Sequence, residues 1–358
     1  MYGLRPLRDL GGYITHMSFF PDLQPAFQSL LAASTGKRVA VVGHMRPDGD
    51  CIGSQVALGR VLRARGIDAV CVNPDPVPRR LRFLVGDTPF FPGKEWLPDG
   101  TTPAGWVSIH VDCADHGRCG PRLAQAFPRP LGNIDHHLSN EGYATHNIID
   151  AAAAAAAEIL AGLFFDAGLT PDPVAAQSLY AGIATDTGQF RFPSTTQRVF
   201  DLTSRLIAAG ANPARAAFEL YERESFARIN LLGRFLESLR RECAGRVCVG
   251  FLKQVDFTAT GATGEDTDGL VDYARSIEGV DIGVLVEERP EGVKASLRGK
   301  DPVFRLDQIA GSFGGGGHAC AAGLNVAADA AAFYPRLIAA LSARLAEVDA
   351  TRIAKTGA

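Results

Sequence analysis

Short apolar runs rich in β-branched residues alternate along this chain with stretches whose apolar positions recur every three or four residues. From "KRVAVVGH" a run of strand length leads through a loop into the helix-periodic "IGSQVALGRVLRARG", closed by Gly66, and then into a second strand-like run, "IDAVCV". That order predicts a β-α-β unit and therefore parallel strands. "GWVSIHVD" and "RPLGNIDHH" repeat the strand signal ahead of helical stretches, so the first half predicts a parallel α/β sheet with helices on both faces. Ligands of such sheets gather beyond the carboxyl ends of the strands.

Ala151 to Ala157 is a run of seven alanines after Asp150. It predicts a helix start, because alanine has the highest helix propensity and aspartate suits the N-terminus. "DPVAAQSLYAGIAT" and "TTQRVFDLTSRLIAAG" predict helices on either side of "DTGQFRFPS", and "SFARINLLGRFLESLRREC" a longer helix connecting domains. Beyond it, strands ("RVCVGFL", "VDIGVLVEE", "VKASLRG") alternate with helices in a smaller mixed α/β domain. The expected divisions are 18–210, a helical linker 211–245, and 246–348. Met17 is an alternative start, and residues 1–16 match no element.

With 358 residues, 46% hydrophobic and 21% charged, two cored domains are expected. The net charge of -3 provides no global positive field for long nucleic acid, so a phosphate-bearing ligand must be gripped locally. Seven scattered cysteines without a C-x-x-C pair argue against a disulfide framework and a structural zinc site, and for a reducing compartment. No apolar run reaches the roughly 18 residues of a membrane span, and the start lacks a signal-peptide pattern. A cytoplasmic protein is expected.

Four constellations fall where strands end. "GHMRPDGDCIGS" sets His44, Asp48 and Asp50 on one strand-to-helix loop; it reads either as a polar loop with Asp50 as helix cap or as a metal loop. Asp112 ends the apolar "WVSIHVD". Asp135, His136 and His137 follow "PLGNI", and Asp186 follows an apolar helix in "GIATDTGQF". Together they supply carboxylates and imidazoles, which suit a dinuclear Mn, Fe or Zn site better than an oxygen-only Mg or Ca site. Two cations about 3.5 to 4 Å apart would clamp the attacking and leaving oxygens of a displacement at phosphorus.

"GHMRPDGDCIGS", "VDCAD", "IDHH" and "ATDTGQF", in that order, resemble the four motifs of the DHH (RecJ-like) phosphoesterase superfamily. "VKASLRGK" and "SFGGGGHACAAG" resemble the DHH-associated domain of its nanoRNase and oligoribonuclease branch, which includes 3'-phosphoadenosine 5'-phosphate (pAp) phosphatases. The resemblance spans roughly Ala26 to Leu341. It implies an N-terminal parallel-sheet catalytic domain and a smaller mixed α/β substrate-binding domain, with the active site in the cleft between them. It further implies that His44, Asp48 and Asp112 hold one metal and Asp50, Asp112, His136 and Asp186 the other, with Asp112 bridging. Asp135 would fix a histidine ring, His137 would orient the phosphate or donate a proton, and a water acidified by the cations would be the nucleophile. Cys51 and Cys113 lie beside ligands without being required.

Gly315, Gly316, Gly317 and His318 would grip the far end of the substrate, with Ser296 and Arg298 on a neighbouring strand and Arg298 contacting phosphate. Arg191 is a further candidate for substrate contact, and Arg79, Arg80 and Arg82 are expected to be a solvated loop. The chain departs from the family's usual form at "ACAAG" and at Gly299, both of which bear on substrate choice. The resemblance implies an enzyme using two Mn2+ ions, or other divalent metals, to hydrolyse very short RNA oligonucleotides or linear dinucleotides (pApA, pGpG) to mononucleotides. It also implies a homodimer, without long duplex or membrane partners. Phosphatase activity on 3'-phosphoadenosine 5'-phosphate and cyclic di-AMP hydrolysis are alternatives within the enzyme class. A catalytically dead nucleotide sensor should lack a metal ligand, and none is missing.

Overall fold

The computed structural model describes residues 18–97, 104–317 and 319–356, and the statements below concern those residues. The chain divides into two compact units, Met1–Arg223 and Glu224–Ala358. The expected linker residues 211–245 fall on both sides of that division.

In the first unit β1 (Arg38–Val42), β2 (Asp68–Asn73), β3 (Phe90–Pro92), β4 (Trp106–Val111), β5 (Gly132–Asp135) and β6 (His146–Ile149) form one sheet. Its order is β3-β2-β1-β4-β5-β6, and every pairing is parallel. In β1, Val39 and Val41 face one core while Ala40 and Val42 face another that holds Leu97, Leu123 and Phe127. Burial on both faces is why the strand reads as an unbroken apolar run. The order of strands reverses between β1 and β4, so the loops that follow them diverge and leave a crevice.

Two helices close over one face at a separation only glycine permits. A Cβ on Gly53, in the helix Gly49–Ala64, would stand 2.3 Å from the Ser178 carbonyl oxygen in the helix Pro173–Asp186. That approach lets Asp50 near the start of one helix and Asp186 at the end of the other face a common space.

Two sequence expectations shift. The alanine run does not start the helix at Asp150: residues 151–155 form turns, and the helix is Ala156–Asp166. Tertiary acceptors override propensity there. Asp150 takes the Ala152 amide into a turn, Glu158 accepts the Ala154 amide, and Asp50 accepts the amides of Ala156 and Ala157. Likewise the helix expected through Cys243 spans only Phe226–Glu237. Ser238 ends it, donating its hydroxyl to the Phe235 carbonyl and accepting the Phe251 amide.

In the second unit β7 (Arg240–Glu242), β8 (Val247–Leu252), β9 (Ile282–Arg289), β10 (Gly292–Gly299), β11 (Gly316–Gly317) and β12 (Ala321–Val326) form a mixed sheet. Its order is β11-β12-β10-β9-β8-β7, and only β8 and β9 pair in parallel. The helix Ala330–Thr356 contributes Phe333, Leu337 and Leu341 to the core that includes Val284 and Leu297. No helix among the described residues is long and apolar enough to cross a membrane.

Candidate metal centre

Adjacent strand ends build the site. β1 delivers His44, β4 delivers Asp112 and β5 delivers Asp135 with His136 and His137 directly after it. Asp112 sits at φ 56°, a left-handed conformation that side chains other than glycine, asparagine and aspartate rarely adopt. The kink ends β4 and leaves the carboxylate 2% exposed among imidazoles. Asp112 Oδ2 lies 3.1 Å from His44 Nε2, and Oδ1 lies 3.5 Å from His136 Nε2 and 3.6 Å from His137 Nδ1.

The remaining carboxylates converge on the same histidines. His136 Nε2 is 3.4 Å from Asp186 Oδ2 and 3.8 Å from Asp50 Oδ2, and His44 Nε2 is 3.8 Å from Asp48 Oδ1. Asp48 is about half exposed, 52% for its side chain, and caps its own helix by accepting the Cys51 amide. Three overlapping groups bring one ligand atom per residue within 4.8 Å: Asp50, His136 and Asp186; Asp112, His136 and His137; His44, Cys51 and Asp112.

Protonation follows from burial and crowding. Burial first, then the charge of Asp112, pushes the Asp50 carboxyl up to about 7, with His136 opposing. Asp186 is raised as well, by burial and then by Asp50 and Asp48. Burial works against a charge on His136, yet Asp112, Asp50 and Asp186 outweigh it and raise the imidazole to about 11. His44 is raised against its burial, with Asp112 and Asp48 among the groups that favour its charge.

The donor set suits divalent cations. Asp112 Oδ1 is buried and makes no hydrogen bond, and a carboxylate oxygen there is completed by a positive charge. The outer nitrogens of the histidines are already engaged. His44 Nδ1 donates to the Met45 carbonyl at 2.8 Å and His136 Nδ1 faces the Ala153 carbonyl at 3.4 Å, which turns both Nε2 atoms inward.

His137 is held differently. Its Nδ1 donates to Asp135 Oδ1 at 2.7 Å, while Asp135 Oδ2 accepts from Asn140 at 2.6 Å. Asp135 is fully buried, but His137 and Asn140 outweigh that burial and hold its carboxyl below the usual range. Arg118 Nη1 lies 3.4 Å from His137 Nε2.

The segment 38–183 matches the family model "DHH family, N-terminal domain", and 245–347 matches "DHHA1 domain". The protein from Thermus thermophilus named "Bifunctional oligoribonuclease and PAP phosphatase NrnA" is 34% identical over 288 residues, 80% of this chain and 83% of that one. The chain belongs to the DHH phosphoesterase family, in its nanoRNase and PAP phosphatase branch. Among solved structures, an exopolyphosphatase-related protein from Bacteroides fragilis superposes with a TM-score of 0.84 at 21% identity, covering 91% of this chain and 97% of that one. RecJ from Thermus thermophilus in complex with Mn2+ does so with a TM-score of 0.52 at 16% identity, covering 91% and 55%. Both are similar in fold.

In the DHH domain, Arg118 and Asn140 carry no motif of their own in the sequence. Arg118 stands six residues after Asp112 in "DCADHGRCG" and Asn140 closes "IDHHLSN", so proximity to a motif was the available signal. Arg191 is exposed on the turn after Asp186, with Nε donating to the Gly188 carbonyl at 2.6 Å. In the DHHA1 domain, Ser296 and Arg298 share the half-buried face of β10. One strand separates them from the glycine run, because Ser296 pairs with Gly323 of β12 and Gly323 in turn with Gly316. A Cβ on Gly315 would stand 2.3 Å from the Gly323 carbonyl oxygen, whereas one on Gly316 would meet open space. Gly315 therefore answers to sheet packing and Gly316 leaves its outer side clear. Gly317, at φ 141°, is confined like Gly315. His318 lies outside the described residues.

Proposed function

We propose that this DHH phosphoesterase hydrolyses very short RNA oligonucleotides and linear dinucleotides such as pApA and pGpG to mononucleotides with two divalent cations, Mn2+ foremost. The observation that carries the reading is the buried Asp112 carboxylate facing His44 on one side and His136 and His137 on the other, with Oδ1 unbonded. His44, Asp48 and Asp112 hold one cation; Asp50, Asp112, His136 and Asp186 hold the other. Cations bound there acidify a water and neutralise charge on the phosphoryl oxygens. Asp135 retains the Nδ1 proton of His137, so Nε2 is the atom that orients the phosphate or exchanges a proton with it. Ser296, Arg298, Gly315, Gly316, Gly317 and His318 bind the remainder of the substrate, and Arg191 adds a phosphate contact. Support comes from the name of the Thermus thermophilus relative and from the RecJ neighbour's structure with Mn2+.

That relative's bifunctional name favours a second activity, removal of a phosphate from 3'-phosphoadenosine 5'-phosphate. One panel tests both: chelator-treated protein is reloaded with Mn2+ and offered pApA, pGpG, a short RNA ladder and 3'-phosphoadenosine 5'-phosphate, beside Asp112→Asn. Cleavage of the dinucleotides that is lost in Asp112→Asn and in chelator supports the reading. An equally active variant, or no cleavage of any substrate, refutes it.

A further inference from the structure

His110, His116 and Cys119 lie outside the set of DHH ligands and bring one ligand atom each within 4.8 Å of the others. His110 is on β4 and fully buried; His116 and Cys119 are the ends of the single helical turn His116–Cys119. The imidazole rings are nearly parallel, 16° apart in plane with centroids at 5.6 Å.

The hydrogen bonds around the two rings assign each a tautomer. The Tyr143 hydroxyl donates its one proton to the Cys113 carbonyl at 3.1 Å. With that proton on the carbonyl, His110 Nδ1, 3.3 Å from the same hydroxyl oxygen, is assigned as the donor and His110 Nε2 as the bare lone pair. That Nε2 is buried with no hydrogen-bond partner. His116 Nε2 donates to the Phe127 carbonyl at 2.8 Å, which leaves its Nδ1 as a lone pair too. Cys119 Sγ, also buried, donates to the His116 carbonyl at 3.0 Å. A cluster built for hydrogen bonding alone would offer His110 Nε2 a donor. Imidazoles whose N–H groups are committed to oxygen acceptors keep a lone pair each for a metal, as ligand histidines do.

We propose that His110, His116 and Cys119 form a second metal site, for a borderline or soft divalent cation such as Zn2+, separate from the carboxylate-rich DHH centre. Two imidazoles and a thiolate select such ions over Mg2+, Ca2+ and Mn2+. On binding, the Cys119 thiol gives its proton to solvent as the sulfur–metal bond forms. A pocket of about 130 Å³, lined by Met45, Lys94, Cys119 and Arg122 among others, borders the cluster at Cys119. The absence of C-x-x-C concealed this site in the sequence, because its one cysteine is joined by histidines three and nine residues upstream. Its ligands bracket the segment that bears Asp112 and Arg118, so an ion there clamps the turn that sets Arg118 beside His137.

Cobalt tests the assignment, since thiolate coordination to Co2+ gives a near-ultraviolet charge-transfer band that carboxylate and imidazole ligands do not. Full-length protein, stripped with chelator and titrated with Co2+, should develop the band. It should disappear in Cys119→Ser and in His116→Asn, both checked for native circular dichroism, and persist in Cys51→Ser, whose sulfur lies beside His44 and Asp112. Because wild type and Cys51→Ser both retain Cys119, their comparison does not depend on the folding of the site variants. No band in the wild type, or a band lost with Cys51→Ser and kept with Cys119→Ser, overturns the proposal.

Discussion

Replacing Asp50 removes a carboxylate from the candidate metal centre and, in the same step, an acceptor from the start of the helix Ala156–Asp166. Its two oxygens accept the Ala156 amide at 2.7 Å and the Ala157 amide at 2.8 Å, all of them buried. Asp50→Ala and Asp50→Asn both abolish the charge, so burial and repulsion from Asp112 cancel between the two variants. They differ in acceptors: asparagine retains one carbonyl oxygen and alanine none. A buried amide left without an acceptor costs about 1–3 kcal/mol, so Asp50→Asn should be more stable than Asp50→Ala by that amount. The measurement is urea unfolding in chelator, followed by tryptophan fluorescence. Both tryptophans, Trp96 and Trp106, belong to the first unit, so the signal reports on it alone. Metal content, measured separately after loading with Mn2+, should fall in both variants. Equal unfolding free energies would refute the capping argument, and full metal content with full activity in Asp50→Asn would refute its assignment as a ligand.

Asn140→Ala removes the 2.6 Å donor to Asp135 and with it the brace behind His137; kcat on pApA should fall by roughly 10- to 100-fold with metal content unchanged. In the second unit Gly315→Ala forces a Cβ to 2.3 Å from the Gly323 carbonyl oxygen and should release the β11–β12 pairing, seen as faster hydrogen exchange in β12. Gly316→Ala meets open space, so stability should stay within about 0.5 kcal/mol while KM rises for any substrate that lies against that backbone. Glu287 is fully buried and paired with Arg289 and with Lys294, 2.8 Å away. Both cations are about one-third exposed, so water compensates in part for the lost partner. Glu287→Ala should then cost about 1–3 kcal/mol in denaturant unfolding of the second unit, below the 3–5 of a wholly buried pair.

The alternation of short apolar runs with helical periods reveals the βαβ order because parallel strands are buried on both faces and their crossovers need helices. The same logic places His44, Asp112 and the Asp135–His137 triplet at strand ends from the sequence alone. Periodicity does not carry strand order, so the juxtaposition of β1 and β4, which sets His44 beside Asp112, is a tertiary fact. Long-range acceptors were equally hidden: the helix after the alanine run begins where Asp50, 106 residues earlier, takes its amides. The glycine run illustrates a different limit. Composition marks it as unusual, yet only the pairing with β12 separates Gly315 and Gly317, demanded by packing, from Gly316, whose outer side is clear.

Asp112 draws these levels together. It follows β4, the strand next to the reversal in sheet order, so its carboxylate can face residues from the loops after β1 on one side and β5 on the other. Reaching both requires the left-handed backbone at φ 56°, a conformation that costs of the order of 1–3 kcal/mol for most side chains but less for aspartate and asparagine. Burial then opposes its ionisation, while His136 and His44 outweigh that burial and hold the carboxyl below its usual range. Backbone strain, burial and an unbonded oxygen thus fall on one residue, which no stability argument recommends. The proposed sharing of Asp112 between two cations would account for each, and asparagine, which tolerates the same backbone, is then the substitution that separates the loss of a ligand from the loss of a fold.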